Sequence, residues 1–381
     1  MSHSKFSASA AHRWLRCPGS MVLSKDLPNT SSPHAREGTA AHELAAEVLN
    51  KGTNAQDHVG QEIVVEGERF IVDEEMAGHV GRYVDLVRSI PGSLFVEVRV
   101  NYHSALIVEP DQAFGTADAI VIGDDTLTVI DLKYGRGEPV QAEGNPQMML
   151  YAIGALGALE GLCDDITKVR MIIAQPRLNA YPEHTLTLAE LREFARGAAD
   201  AVMRIDDAHD AFDPKTHLVV GEKQCRWCLA KATCPSLVQS VIDEFDAPLD
   251  DIGHLMSKVG LIEDWCKSVR AEAERRLLAG TPVTGWKLVQ GRRGNRAWSN
   301  EADVLDLMKN TFRLKDDIVY QRTLVSPAQA EKTIGKDNPR RWAKLQELIT
   351  QSEGKPSVAP ESDPRPPLDI RPVVEDFKNE T

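Results

Sequence analysis

The sequence lacks long apolar runs. No stretch of about 18 or more apolar residues, the length that a membrane-spanning helix needs, occurs among its 381 residues. Residues 1–6 also lack the apolar core of a secretory signal. We therefore expect a cytoplasmic protein with no membrane partner.

The sequence also has no excess of positive charge, and its formal net charge is −13 at pH 7. Non-specific DNA affinity comes largely from Lys and Arg that neutralise phosphates, which speaks against a general nucleic-acid coat. A nuclease stays open, since a divalent-cation site concentrates carboxylates and a local basic surface can coexist with an acidic total. Two C-terminal segments interleave cationic residues with tryptophan. These segments either bind single-stranded DNA or simply carry exposed arginines with no DNA-binding role. Their cations are Lys287, Arg292, Arg293, Arg296, Arg340 and Arg341.

Six cysteines in a cytoplasmic chain of this length argue against a disulfide framework and leave metal binding or free thiols. Cys225-x-x-Cys228-x5-Cys234 forms three quarters of a metal site, and Cys17, which also precedes a proline, is the natural fourth ligand. Four thiolates suit either zinc or an iron–sulfur cluster, and spacing alone does not separate the two. The other two cysteines lack such partners, and we expect them to be buried free thiols.

Hydrophobic periodicity predicts helices, then a group of strands, then a helix and a further strand. Helical periods cover residues 36–49, 74–89, 145–159, 187–207 and 252–278. Alternation with a period of two covers residues 95–100, 117–122, 126–132 and 169–174. A tight hairpin is expected between the second and third strands. This order predicts an α/β core in which helices pack on a mixed central sheet.

The chain is long enough for two domains or for one domain with large appendages. We expect the chemistry in a domain over residues 1–245, followed by a helical connector over 246–280. A small basic α+β domain over 281–350 should follow. Residues 351–381 are rich in Pro, Ser, Glu and Asp, so we expect a disordered tail there.

Two carboxylates and a lysine lie within about one predicted hairpin. Asp118 lies on one strand, Asp131 ends the next, and Lys133 comes two residues later, on the same face as Asp131 because strand side chains alternate. Oxygen ligands of this kind suit Mg²⁺ or Mn²⁺. With a lysine beside them they fit metal-assisted phosphodiester hydrolysis. The alternative is that the Asp-x-Lys element is only a surface strand end.

Four further residues complete this candidate site. Gln147 and Tyr151 are four residues apart on the following helix, hence on one face, where they would position a water, a phosphate or a base. His42 on an early helix is a candidate metal ligand, the alternative being a packing or capping role. The backbone carbonyl of Leu132 is a further candidate metal ligand.

One ordered set of residues carries a family resemblance: His42, Gly115-x-x-Asp118, Asp131-x-Lys133 and Gln147-x-x-x-Tyr151. The set resembles the PD-(D/E)XK nuclease superfamily, specifically its RecB-like branch, over roughly residues 7–240. The resemblance implies a restriction-endonuclease-like core and DNA cleavage with Mg²⁺ or Mn²⁺. It also implies that the histidine, both acidic residues and the lysine belong to the catalytic centre, with the Gln/Tyr helix positioning substrate and metal.

The cysteines add a second resemblance. One N-terminal and three C-terminal cysteines around such a core are similar to the iron–sulfur exonucleases related to CRISPR-associated adaptation nucleases and AddB-type repair nucleases. This resemblance implies a four-iron (4Fe-4S) cluster rather than zinc, clamping the two ends of the domain. The run Asp131-Leu-Lys-Tyr-Gly-Arg136-Gly with Asn145-Pro-Gln147 also resembles an uncharacterised family of phage-encoded nucleases. Arg136 in this run is a candidate phosphate contact, the alternative being an ordinary solvated loop arginine.

Together the resemblances imply a phage DNA exonuclease that acts on DNA ends or single strands during replication or recombination. It would work in the cytoplasm of a bacterial host, with DNA and phage recombination proteins as partners. The rival hypothesis is a catalytically silent DNA-binding or recombination scaffold with a vestigial site. The filled catalytic positions argue against that rival, because a decayed site should have lost at least one ligand.

Overall fold

The computed structural model describes residues 4–27, 33–137, 139–245, 252–287 and 289, and further on 310, 331–332 and 339–346. The chain divides into two units, Met1–Val289 and Gln290–Thr381. The described part of the second unit contains one α-helix, Pro339–Gln346. The expected tail lies outside the described residues, and the finer division into domains stays a prediction.

The strands described in the first unit are β1 (Glu62–Val65), β2 (Glu68–Ile71), β3 (Ser93–Asn101), β4 (Phe114–Ile122), β5 (Thr126–Leu132), β6 (Lys168–Ala174) and β7 (Glu183–Thr187). β1 and β2 pair as a separate hairpin, whereas the other five form one sheet in sequence order. Within that sheet β5 and β6 run parallel, and every other neighbouring pair is antiparallel. The central sheet is therefore mixed, as the periodicity predicts.

The described helices are α1 (Ala11–Trp14), α2 (Gly19–Leu23), α3 (Pro33–Lys51), α4 (Glu74–Ser89), α5 (His103–Leu106), α6 (Pro146–Ala158), α7 (Leu188–Asp210), α8 (Pro214–His217), α9 (Glu222–Cys225), α10 (Pro235–Phe245), α11 (Ile252–Leu278) and α12 (Pro339–Gln346). Side-chain caps begin α4, α6 and α7, because Asp73, Asn145 and Thr187 each accept a hydrogen bond from a backbone N–H of the first turn. No helix in the described part of the chain is both long and apolar enough to cross a membrane.

Helices pack on both faces of the sheet. Successive side chains of β5 point to opposite faces and therefore contact different helices. Val129 belongs to a first core cluster with Met148 of α6 and Ile205 of α7. Its neighbour Ile130 belongs to a second core cluster with Leu44 of α3. The strands that carry the acidic residues are thus packed on both sides, which fixes their position.

The sequence-based boundaries agree with the structure for α4, β5 and α11, and those of the other predicted helices and strands lie within three residues. Three strands were not predicted. The edge strand β7 buries only Leu186, so it has little apolar alternation to reveal it. The β1–β2 hairpin turns at Glu66 and Gly67, which both have positive φ, as a tight hairpin turn requires.

Candidate active site

Three acidic residues occupy one cross-strand row of the sheet, called the acidic row below. The β3–β4 ladder pairs Val96 with Ala119 and Val98 with Ala117, and interpolating between these pairs places Glu97 opposite Asp118. The β4–β5 ladder ends one step before Asp118, and extending its register by that step places Asp118 opposite Asp131. Neighbouring strands lie about 4.8 Å apart. Asp118 therefore has a carboxylate neighbour on the strand at either side.

The acidic row coincides with a distortion of β3. Glu97 has a φ of 51°, a left-handed conformation that non-glycine residues rarely adopt. Phe95 and Val98 both pack on the first core cluster, whereas Val96 packs on the second. The alternation of side chains therefore shifts at Glu97. Such backbone conformations cost about 1–3 kcal/mol and cluster at functional sites.

Asp118 is held from β5 and from α3. Its Oδ2 accepts a hydrogen bond from the backbone N–H of Leu132 at 2.7 Å and lies 3.3 Å from Nε2 of His42. The Nδ1 of His42 lies 2.8 Å from the carbonyl oxygen of Gly38, and it must carry a proton because a carbonyl only accepts. This bond turns Nε2 toward Asp118. Metal-ligating histidines are typically oriented in this way, through the second ring nitrogen.

The charges of His42 and Asp118 stabilise each other. Burial alone would lower the pKa of His42, but the charge of Asp118 and its hydrogen bond raise that pKa to about 9. Burial alone would raise the pKa of Asp118, but His42, Lys133 and the Leu132 N–H together hold it below its usual value. The two side chains therefore form an ion pair at neutral pH.

Asp131 is 2% exposed and has one oxygen that receives no hydrogen bond. Its Oδ1 accepts from Nε2 of Gln147 at 2.8 Å. Its Oδ2 lies 2.8 Å from Nζ of Lys133, but no donor in the described part of the chain meets hydrogen-bond geometry at Oδ2. Burial raises the pKa of Asp131, aided by the charge of Asp118, although Lys133 opposes the shift. Each oxygen of Asp131 thus has a nitrogen beside it, Oδ1 that of Gln147 and Oδ2 that of Lys133.

Gln147 connects the β5 end to α6. The Nζ of Lys133 donates to Oε1 of Gln147 at 3.1 Å, and Nε2 of Gln147 lies 3.3 Å from the hydroxyl of Tyr151. A Cβ at Gly115 would lie only 2.7 Å from Cε1 of Tyr151. Glycine at this position therefore lets the tyrosine ring pack directly on β4, which keeps the glutamine beside the lysine.

The structure brings together six side chains of the sequence-predicted site: His42, Asp118, Asp131, Lys133, Gln147 and Tyr151. Leu132 contacts Asp118 through its N–H, and the metal-binding role of its carbonyl stays a prediction. Among the described residues, no group of three or more His, Cys, Asp and Glu side chains is placed to hold a metal ion. A cation would therefore have to draw these ligands closer together.

Sequence reasoning missed two residues of this neighbourhood, Glu97 and Tyr83. Partial burial and the charge of Asp118 raise the pKa of Glu97 to about 7. Tyr83 on α4 is 1% exposed, and its hydroxyl has no hydrogen-bond partner in the described residues. Burial, and then the charges of the acidic row, raise the pKa of Tyr83 well above its usual value. Only the strand register reveals Glu97, and no motif marks either residue.

Arg136, the predicted phosphate contact, forms an ion pair with Glu75 at the first turn of α4. Glu75 also lies 3.4 Å from the guanidinium of Arg177. The side chain of Arg136 is nevertheless 62% exposed, so the ion pair leaves it accessible from solvent. Its contact with a substrate phosphate stays a prediction.

The four cysteines of the predicted metal site line one narrow cavity: Cys17, Cys225, Cys228 and Cys234. The Sγ of Cys17 accepts a hydrogen bond from the backbone N–H of Val219 at 3.4 Å, which joins the N-terminal segment to the region that follows α8. Burial raises the pKa of the Cys17 and Cys234 thiols, and it raises that of Cys225 to about 11. The four cysteines thus come from two distant parts of the sequence to line one cavity, although no three of them, among the described residues, are already placed to hold a metal ion.

The two remaining cysteines, Cys163 and Cys266, are free thiols but half-buried rather than buried. Cys163 lies in the loop after α6, and Cys266 lies on α11, a helix with no buried residues. The expectation of buried thiols was therefore wrong for both, since Cys163 only packs against the edge of the first core cluster and α11 buries none of its side chains completely.

The described residues include only part of the two basic C-terminal segments. Lys287 and Arg340 are exposed, and Arg341 lies in α12. Arg292, Arg293 and Arg296 lie outside the described residues. The DNA-binding role of these cations stays a prediction.

Two comparisons relate the chain to known proteins. A family model described as "Protein of unknown function (DUF2800)" matches residues 3–366. A solved structure titled "Crystal structure of SSO0001" is similar at 15% sequence identity, covering 62% of this chain and 88% of that chain, with a TM-score of 0.28.

Proposed function

The chain belongs to the DUF2800 family, and we propose that it is a divalent-metal-dependent DNA nuclease with a PD-(D/E)XK-type core. The observation that supports this most is the meeting of His42, Asp118 and Asp131 beside Lys133 on neighbouring elements. The order of these residues along the chain is the one that the resemblance implies. A vestigial site would more readily have lost one of the four.

The donor set suits Mg²⁺ or Mn²⁺, because it combines carboxylate oxygens with one imidazole. Nε2 of His42 faces Asp118 with its ring fixed through Gly38, and Oδ2 of Asp131 is buried 2.8 Å from Nζ of Lys133. When bound, such an ion would lower the pKa of a water and stabilise charge on the phosphate. Because metal ligands must be deprotonated, binding would require His42 to release a proton.

Lys133 supplies a cation that stays accessible to substrate. Its side chain is 33% exposed while Asp131 beside it is almost fully covered, so the ammonium spans from the buried carboxylate toward solvent. In this position the Lys133 ammonium would orient an attacking water and contact a phosphate oxygen. Gln147 bonds both Lys133 and Asp131 and holds them in one arrangement before substrate arrives, as electrostatic catalysis requires.

Cleavage of end-labelled single- and double-stranded DNA with Mg²⁺ or Mn²⁺ tests this proposal. We expect Asp131→Asn and Lys133→Met to lower the cleavage rate by about 100-fold or more, in the range of losing one preorganised charge-stabilising group. Asp124→Asn is the matched control, because Asp124 is exposed at the opposite end of the β4–β5 hairpin. Cleavage that survives both site changes would overturn the mechanism, and tight DNA binding without cleavage under any divalent ion would favour the rival scaffold.

We propose further that the four clustered cysteines hold a 4Fe-4S cluster, with structural Zn²⁺ as the alternative. The support is their common cavity and the pairing of Cys17 with a segment about 200 residues later. Protein purified without oxygen should be brown, and Cys228→Ser should be colourless. A colourless wild-type protein with one zinc per chain would assign the site to zinc.

The substrate would be DNA ends or single-stranded DNA. The nuclease would act in phage replication or recombination in a bacterial host. An end-labelled substrate panel separates these substrates by product length: exonuclease action releases mononucleotides or short oligonucleotides from the first time point. Internal fragments that appear first would instead identify an endonuclease.

A further inference from the structure

The segment around the C-terminal cysteines is basic in a chain that is acidic as a whole. From the start of α8 to the start of α10, Lys215, Lys223, Arg226 and Lys231 are accompanied by a single acidic residue, Glu222. The whole chain, by contrast, has a formal net charge of −13. A local surface of this kind attracts an anionic partner even when the total charge of the protein repels one.

Trp227 lies on the surface of this segment, between two of the clustered cysteines. Its side chain is 69% exposed, although Cys225 and Cys234 are buried. The guanidinium of Arg226 lies over the indole ring, 5.6 Å from its centroid, which is a cation–π contact. An indole gains much from burial, yet Trp227 stays outside the small core that Cys17 shares with α10. The segment therefore presents an aromatic face to solvent beside positive charge.

Residues 223–231, called the tryptophan loop below, have a fixed backbone. The N–H of Cys228 donates to the carbonyl oxygen of Cys225 at 3.1 Å. The Nζ of Lys231 donates to the carbonyl oxygen of Arg226 at 2.6 Å. These bonds on both sides of Trp227 hold its position before any partner arrives, which lowers the entropy cost of binding.

We propose that the tryptophan loop binds single-stranded DNA, with one base stacked on Trp227 and neighbouring phosphates contacted by Lys223 and Arg226. Proteins hold single strands through this combination of aromatic stacking and cationic phosphate contacts. A single strand is favoured over a duplex because its bases are free to stack on a side chain, whereas those of a duplex are already stacked on one another.

This proposal deepens the proposed function, because the strand held by the loop would be the substrate of the candidate active site. The helix α1 contacts α9, which carries Lys223, and it also contacts α6, which carries Gln147. The tryptophan loop is thus joined to the candidate active site through a single helix. Substrate binding at the loop and cleavage at the acidic row remain separable by mutation, since the two use different residues.

Fluorescence anisotropy with labelled oligodeoxythymidine tests the proposal on the full-length protein, with the cysteine site loaded and no divalent ion added. We expect Trp227→Ala to weaken binding by about tenfold or more, as losing one stacked base does, and Trp227→Phe to retain most of the affinity. Changing Lys223 and Arg226 together to Ala should lower the slope of log K against log salt by about 1.4, since each phosphate of a single strand contributes about 0.7. Met203→Ala is the matched control, because Met203 on α7 is 67% exposed, and it should leave the affinity unchanged.

Photocrosslinking with a strand that carries 5-iodouracil gives a second readout, since mass spectrometry then locates the contacted residue. A crosslink at Trp227 would support the proposal, provided that Trp227→Ala retains the wild-type iron or zinc content. Crosslinks confined to residues 286–298, or equal affinities of Trp227→Ala and wild type, would overturn it and leave the nuclease proposal intact. Failure of the wild type to bind any single strand at low salt would also overturn it and would favour an acidic protein as the partner. Binding through Trp227 without cleavage under any divalent ion would instead overturn the nuclease proposal alone.

Discussion

Lys133 and Asp131 form the most enclosed charge pair of the site. Breaking such a pair by removing one partner leaves an uncompensated buried charge, whereas neutralising both members does not. We expect Lys133→Met to destabilise the metal-free protein by about 1–3 kcal/mol more than the double change Lys133→Met with Asp131→Asn. Urea unfolding in EDTA measures both free energies. Equal stabilities would mean that Asp131 is already neutral beside Lys133.

His42 makes the stability of the metal-free protein depend on pH. Its folded-state pKa is raised from 6.5 to about 9 by Asp118, against the effect of burial. Because the folded value is the higher one, the stabilisation is fully present below about pH 6.5 and is lost as the pH rises through about 9. In EDTA the free energy of unfolding should fall over this window in the wild type and fall less in His42→Asn. Parallel pH profiles for the two proteins would contradict this assignment.

At the scale of elements, the contact between α6 and β4 sets the position of Gln147. A Cβ at Gly115 would come within 2.7 Å of the Tyr151 ring, so Gly115→Ala must displace α6 or the ring. We expect a loss of about 1–3 kcal/mol in stability, the usual cost of overpacking, and a lower DNA cleavage rate. Gly157→Ala, on the same helix with no atom within 4 Å of the added Cβ, should keep both. A Gly115→Ala protein as active as the wild type would show that α6 tolerates the shift.

The same elements show which parts of the fold and of the candidate site the sequence alone predicts. The alternation of β5 and the helical period of α4 are local patterns, and both elements come out as predicted. The helical spacing of Gln147 and Tyr151 likewise places both on the site side of α6. Glu97 is different, because it joins the site through the β3–β4 register and a left-handed backbone conformation. Register depends on pairing across the sheet, so a local pattern reads Glu97 as an ordinary exposed charge of a strand.

At the scale of the whole first unit, the cysteine cavity joins the N-terminal segment to the segment from α8 to α10. Cys17 shares a small separate core with Leu237 and Val241 of α10. This core is distinct from the two clusters that cover the sheet. The segment from α8 to α10 therefore depends on the N-terminal cysteine, and on any ion or cluster held there, more than the sheet does.

This dependence predicts a local rather than a global response to losing Cys17. Cys17→Ser should abolish binding at the cysteine site and raise amide hydrogen exchange across residues 214–241, because that segment loses its anchor. Exchange in β5 and α6 should stay close to the wild-type rate, since Cys17 belongs to the small core with α10 and not to the clusters that contain β5 and α6. Cys163→Ser, which changes a half-buried thiol outside the cavity, is the control and should leave both regions unchanged. Uniformly faster exchange throughout the unit would instead mean that the cysteine site holds the whole nuclease core together, since the sheet would then unfold along with α8 to α10.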